Sequence, residues 1–182
     1  MQKKIKIPEG VEVRIEGKEV SVKGQKGEIT RNFSNPAFNR HIIMTKDGSE
    51  ITVNSDDERR KIKAMVGTIN ALLNKMITGV TRGYKYTLKI YFVHFPISVE
   101  SKELPAGIDV SVKNFLGEKK PRKALLRGVK MKVAGDIITL TGVDSEKVGQ
   151  AAARLEQITK VRKKDRRIFN DGIFPMKHEI DD

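Results

Sequence analysis

The residues best able to bind a metal or move a proton near neutral pH are three histidines, His41, His94 and His178. They stand far apart, and none has a second histidine or paired carboxylate at a ligand spacing such as i, i+4 on a helix. Asp56, Asp57 and Glu58 do cluster, but they follow Ser55 at what reads as a helix N-terminus. There, negative charge and side-chain oxygens serve the free amides. The absence of cysteine removes thiolate nucleophiles, disulfides and cysteine metal sites. The sequence also lacks a G-x-x-x-x-G-K-[ST] phosphate loop, a G-x-G-x-x-G fingerprint and a G-x-S-x-G nucleophile elbow. No catalytic residue, metal, cofactor or small-molecule substrate is therefore expected.

What these residues can do is hold negative charge. The 182 residues include 36 Lys or Arg and 23 Asp or Glu, a net charge of +13. Nucleic acid is the commonest partner for such an excess. Residues 1–91 carry +8 and residues 92–182 carry +5, yet the densest blocks lie in the second half. Lys119 to Lys132 holds seven basic residues and no acidic one; Lys160 to Arg167 holds six against Asp165 alone. A single run is often just a solvated face; two in one half point to a binding surface. Lys119, Lys120, Arg122, Lys123, Arg127 and Lys130 are its expected members in the first block. Lys160, Arg162, Lys163, Lys164, Arg166 and Arg167 are those in the second. A further stretch, Arg82-Gly83-Tyr84-Lys85-Tyr86, resembles the stacking signature of RNA-recognition motifs. Lys85, Thr87 and Lys89 depart from that signature, and a half-buried strand explains the alternation equally well.

These residues need elements to position them. Val11, Val13 and Ile15, then Val20 and Val22, alternate around Gly17-Lys18 as a hairpin does. His41–Met44 and Ile51–Val53 flank Asp47-Gly48, a second hairpin. From Asp56 to Gly79 the period changes: Ile62, Val66, Ile69, Leu73, Met76, Ile77 and Val80 trace one helix face, with Ser55 to Glu58 as a capping box. A strand from Tyr84 to Phe95 follows, limited by Pro96. Strands around Val110, Met131 and Ile138 come next, then a helix from Asp144 with Val148, Ala152, Leu155 and Ile158 inward. Ile51-Thr52-Val53 before Asp57 and Ile138-Thr139-Leu140 before Asp144 share an offset of 87 residues. The expected fold class is α+β, an internal duplication of two similar domains, 1–83 and 84–182. Each is expected to pack a small antiparallel β-sheet against an α-helix. No apolar run approaches the ~18–20 residues of a membrane span, and Met1-Gln2-Lys3-Lys4 leads into no signal-peptide core. A soluble, cytoplasmic protein that does not engage membranes is expected.

Val148-Gly149-Gln150-Ala151-Ala152-Ala153 and Asp165-Arg166-Arg167-Ile168-Phe169-Asn170-Asp171-Gly172-Ile173-Phe174 together resemble the large-subunit ribosomal protein L6 family in its archaeal and eukaryotic branch. His94-Phe95-Pro96 is similar to that branch too. Met76-Ile77-Thr78-Gly79-Val80-Thr81 is similar to the family's helix end, with Lys75 in place of its Asn. The resemblance spans essentially the whole chain. It implies a non-enzymatic, architectural role in the large ribosomal subunit, beside the base of the lateral stalk, near the sarcin–ricin loop where translation factors dock. It also implies large-subunit ribosomal RNA and neighbouring stalk-base proteins as partners, with the C-terminal domain as the main RNA contact. The bacterial branch's basic glycine motif is absent, and Arg166, Arg167 and Gly172 are its nearest counterparts. The alternatives are a free-standing RNA-binding regulator of the RNA-recognition-motif type and an unrecognised basic enzyme.

Overall fold

Period-2 stretches form strands and the two helical stretches form helices in the computed structural model, which describes residues 2–34, 41–165 and 167–181. The chain divides into two units, Met1–Arg82 and Gly83–Asp182. The first contains β1 (Gln2–Lys6), β2 (Glu12–Glu16), β3 (Glu19–Gly24), β4 (Gly27–Asn32), β5 (Ile43–Asp47), β6 (Glu50–Asn54) and α1 (Arg60–Thr81). Its strands make two antiparallel three-stranded sheets, β1-β6-β5 and β2-β3-β4. Asp47 pairs with Glu50 across Gly48-Ser49, where Gly48 takes a φ of 58° that a side chain would resist.

The predicted stripe of α1 is buried throughout, from Ile62 to Val80. Each such side chain contributes about 1.5–3 kcal/mol by leaving water. The helix start differs from expectation. It begins at Arg60, not Asp56, and its N-cap Arg59 makes no side-chain cap bond. The reason is local: Asp57 accepts the Arg59 backbone N–H at 2.9 Å and its guanidinium at 2.7 Å, while Ser55 Oγ accepts the Asp57 N–H at 3.3 Å. The carboxylate is committed to a turn before the helix, and the Arg59 guanidinium holds it down to about 2.

The second unit contains β7 (Tyr84–Tyr91), β8 (Ser98–Leu104), β9 (Gly107–Lys113), β10 (Arg122–Leu126), β11 (Lys130–Ala134), β12 (Ile137–Gly142), α2 (Ser145–Ile158) and β13 (Gly172–Ile180). Its sheets are β8-β9-β10 and β11-β12-β7-β13, all antiparallel. The strand expected to reach Phe95 ends at Tyr91. Asp144 caps α2 by accepting the Glu146 N–H at 2.9 Å, and Val148, Ala152 and Leu155 point inward as the spacing predicts. They meet Leu88, Ile90, Val110, Leu126, Ile138, Leu140 and Ile173 in one core. Gly107, at φ 136°, lies so close to the Leu126 carbonyl that a Cβ would collide with it.

One topology occurs twice. Order β5-β6-β1 recurs as β11-β12-β7, and β2-β3-β4 recurs as β8-β9-β10, each set completed by its helix. Ile51-Thr52-Val53 and Ile138-Thr139-Leu140 are equivalent central strands, β6 and β12. Each unit's sheet structure is divided in two, because a meander of three strands pairs only within itself. The addition in the second unit is β13, an edge strand against β7 whose register shifts between Pro175 and Lys177. Proline lacks the N–H a ladder needs, and an edge with an irregularity accommodates it.

Candidate nucleic-acid interface

Strand β10 and the residues beside it carry Lys119 to Arg127 of the first basic block, and the segment after α2 carries the second; arginine side chains join the two. Arg122 donates from Nη1 to the carbonyls of Ile158 at 2.6 Å and Lys160 at 3.2 Å, at the end of α2. Its Nε and Nη2 reach the Glu118 carboxylate at 2.8 and 2.5 Å, and its guanidinium lies 4.3 Å from the Phe115 ring centroid. From the helix side, Arg154 Nη1 donates to the Leu125 carbonyl at 2.8 Å. These bonds satisfy carbonyls that a helix end and an edge strand leave open. They hold Arg122 and Arg154 in place at an open groove of about 890 Å³ that Lys123, Arg127 and Arg162 also line.

Lys123, Arg127 and Arg162 are exposed and have no ion-pair partner among the described residues. The nearby carboxylate of Glu118 is already engaged, and the Arg122 hydrogen bond lowers its pKa from the ordinary glutamate value. The exposed guanidinium groups of Arg127 and Arg162 suit phosphate oxygens, which accept paired N–H donors. Chemically the site can hold polyanions. It offers no nucleophile–base pair, and no cluster of metal ligands occurs among the described residues.

The groove gathers Arg122, Lys123, Arg127 and Arg162 from the residues singled out in the sequence. Lys119 and Lys120 are exposed just before β10, and Lys160 is exposed beside the Arg122 anchor. Lys163 is exposed with a left-handed backbone at φ 59°; Lys164 sits 4.4 Å from the Phe169 ring centroid. Arg167 is exposed, its N–H held by the Asp165 carboxylate at 2.9 Å. Arg166 lies outside the described residues. Two of the expected residues fall outside the groove. Lys130 stands on β11, in the four-stranded sheet, and does not line the groove. Gly172 is buried at the start of β13, where a Cβ would approach the Phe174 ring at 3.1 Å. Arg154 and Gln157 also line the groove. Their i, i+3 spacing on the side of α2 opposite Leu155 was the available signal.

The tyrosines of the stacking-like stretch point the other way. Tyr84 is buried, and the rings of Tyr84 and Tyr86 lie 5.9 and 4.3 Å from that of His178. They share the core-facing side of β7 with Leu88 and Ile90, so neither presents a free face to a base. His94 is likewise structural: its ring stacks on Phe169 at 4.7 Å and its Nδ1 lies 3.4 Å from Asp171, whose buried carboxylate accepts the Val93 N–H at 3.0 Å.

The profile of the family described as Ribosomal protein L6 matches residues 7–83 and 104–172, one stretch in each unit. The chain is similar to the "Large ribosomal subunit protein uL6" of Ignicoccus hospitalis, at 45% identity over 97% of this chain and 94% of that protein. It is 43% identical to the protein of the same name from Methanobrevibacter smithii, over 98% and 97% of the two chains. With that of Staphylothermus marinus it shares 48% over 93% and 90%.

Proposed function

The chain belongs to the ribosomal protein L6 family, and from that premise we propose that it binds large-subunit ribosomal RNA through the arginine-lined groove of its second unit. Its relatives are proteins of the large ribosomal subunit, and the family is structural, not enzymatic. This chain takes the same role, in the cytoplasm within the ribosome. The site beside the stalk base, among the proteins gathered there and near where translation factors dock, is the position its family membership favours.

The observation that carries the proposal is the meeting of two sequence-distant basic blocks around one groove. RNA in A-form hides its major groove, so charged side chains contact phosphates and 2′-hydroxyls more than base edges. A guanidinium's planar fork of donors is pre-organised for this, so less freedom is lost for each bond it forms. The protein then acts as a clamp on RNA geometry. No reaction step is assigned to it. A free-standing regulator of the RNA-recognition-motif type loses its best support, since Tyr84 and Tyr86 face the core.

Titration with a large-subunit rRNA fragment at several salt concentrations tests this reading. Neutralising about 6–10 phosphates should lower affinity ~10³–10⁵-fold between 50 and 200 mM salt. A salt-independent affinity would refute it. Cosedimentation with large subunits through high salt should hold, whereas a free-standing RNA binder would be washed away.

A further inference from the structure

The four-stranded sheet of the second unit packs one face against α2, and on its other face Lys89, Lys130 and Lys132 are exposed. Register assigns the residues. Leu88, Ile90, Ile138 and Leu140 point to the core, so their neighbours along each strand point outward. Lys130, Thr141 and Lys85 form one cross-strand row on the open side. Lys132, Thr139 and Thr87 form the next, and Lys89 follows beside Ile137. At the edge, Lys177 pairs with Glu179, the one carboxylate in these rows, at 2.5 Å. Lys89, Lys130 and Lys132 are exposed and have no ion-pair partner among the described residues.

The duplication supplies an internal control. On the equivalent face of the first unit, Lys4, Thr52 and Thr45 form one row, and Lys6, Glu50 and Asp47 the next. Two lysines there meet two carboxylates, and Lys4 lies 3.4 Å from Glu50. The same topology is thus charge-balanced once and lysine-rich once, so the fold does not require the lysines.

We propose that this lysine and threonine face is a second nucleic-acid surface, one that receives the backbone of an A-form RNA helix. Three properties select that partner. The charge complements phosphates, with β11 and β7 lysines two strand spacings apart, roughly 10 Å. Threonine hydroxyls in the middle of the rows can donate to and accept from 2′-hydroxyls, which the wide, shallow minor groove of A-form RNA displays. Tyr84 and Tyr86 of β7 face the core; Tyr91, exposed on the open side, stands at the strand's end beyond Lys89, and the two lysine–threonine rows themselves carry no aromatic ring for unpaired bases to stack on. The proposal rests on the reading that the chain binds RNA, but it concerns residues outside the groove.

The full-length chain would be titrated with a short RNA duplex, a DNA duplex of the same sequence, and a large-subunit rRNA fragment. Lys85→Gln, Lys89→Gln and Lys132→Gln combined should lower the salt slope for the RNA duplex by about one unit per lost contact. The matching Lys→Arg triple should keep it. Thr87→Val with Thr139→Val should weaken RNA duplex binding and leave DNA duplex binding unchanged. Lys4→Gln with Lys6→Gln should change neither. Circular dichroism of every variant checks that the fold is kept, as expected for substitutions on an open face. A lysine triple that binds the RNA duplex as the parent does, while Lys123→Gln, Arg127→Gln and Arg162→Gln together lose rRNA affinity, overturns the sheet proposal alone. If neither triple loses rRNA affinity, the RNA reading itself falls. Preference of the face for the single strand, or for an acidic protein, overturns the choice of occupant.

Discussion

The two units repeat one set of six strands and a helix, and they carry nearly equal charge. Divided at Arg82, the first has 16 basic residues against 10 acidic, and the second 20 against 13, or +6 and +7. A division at residue 91 makes the first half appear the more basic only because it includes Lys85 and Lys89 of β7. Amount of charge therefore does not separate the units; placement does. In the first unit cations turn to nearby acceptors: Lys18 Nζ to the Ile42 carbonyl, Lys46 Nζ to the Val13 carbonyl at 3.0 Å, Arg59 to Asp57. In the second, structural bonds made by Arg122 and Arg154 leave Lys123, Arg127 and Arg162 facing an open groove. A repeated fold can thus gather exposed cations on one unit by tying two arginines inward so that others stay outward.

The largest effects should come from the cores, and they test whether the units are separable. Leu73→Ala in α1 and Leu155→Ala in α2 each remove a fully buried side chain, at a cost of about 2–5 kcal/mol. Thermal unfolding followed by amide spectra should show each variant lowering the transition of its own unit. Simultaneous loss of both units in either variant would erase the distinction. Next in size is the contrast in binding. Lys123→Gln, Arg127→Gln and Arg162→Gln together should lower the salt slope for an rRNA fragment by about three. Lys6→Gln, Arg14→Gln and Lys23→Gln in the first unit should lower it by less than one contact's worth. Equal losses would show that placement has no special role.

Smaller effects distinguish the helices. Asp144→Ala removes the cap of α2 and should cost about 1 kcal/mol in urea unfolding. Ser55→Ala should cost less, because α1 has no side-chain cap to lose. The smallest effect concerns Glu118. Its carboxyl is held below the ordinary glutamate value by Arg122, so the pair's contribution is present above that value. It fades as pH falls from the ordinary glutamate range through the lowered value. For so exposed a pair this is within ~0.2–1 kcal/mol. Acid unfolding of Glu118→Gln should have a slightly shallower limb, and its rRNA affinity should rise slightly as Arg122 loses a competing anion. A fall in affinity would mean that Glu118 positions Arg122 for binding.

Periodicity carried much of this fold. The α1 stripe, the start of α2 at Asp144 and its inward residues Val148, Ala152 and Leu155 were all legible, because each rests on spacing within one element. The start of α1 was not, since Ser55 to Glu58 fits a capping box and only geometry shows Asp57 bound to Arg59. Strand β13 was hidden by Gly172 and Pro175, and by a partner strand about ninety positions earlier. The basic blocks announced the groove, whereas Arg154 had only its spacing from Gln157 to mark it, and Lys130, close to the groove residues in sequence, stands in the other sheet. Adjacency along a strand says nothing about which sheet the strand joins.

The late position of β13 has a consequence for synthesis. Unit one has all its described strands and its helix once residue 81 has been made. The central strand of unit two, β7, waits for a neighbour whose residues follow every other described element. Closing a loop of that length costs on the order of 4 kcal/mol beyond a constant. Until then one edge of β7 carries unpaired amides and carbonyls, with Leu88 and Ile90 beside them, the kind of edge that recruits foreign strands. A nascent chain of this protein is therefore most vulnerable to aggregation between the folding of its first unit and the arrival of Gly172–Ile180.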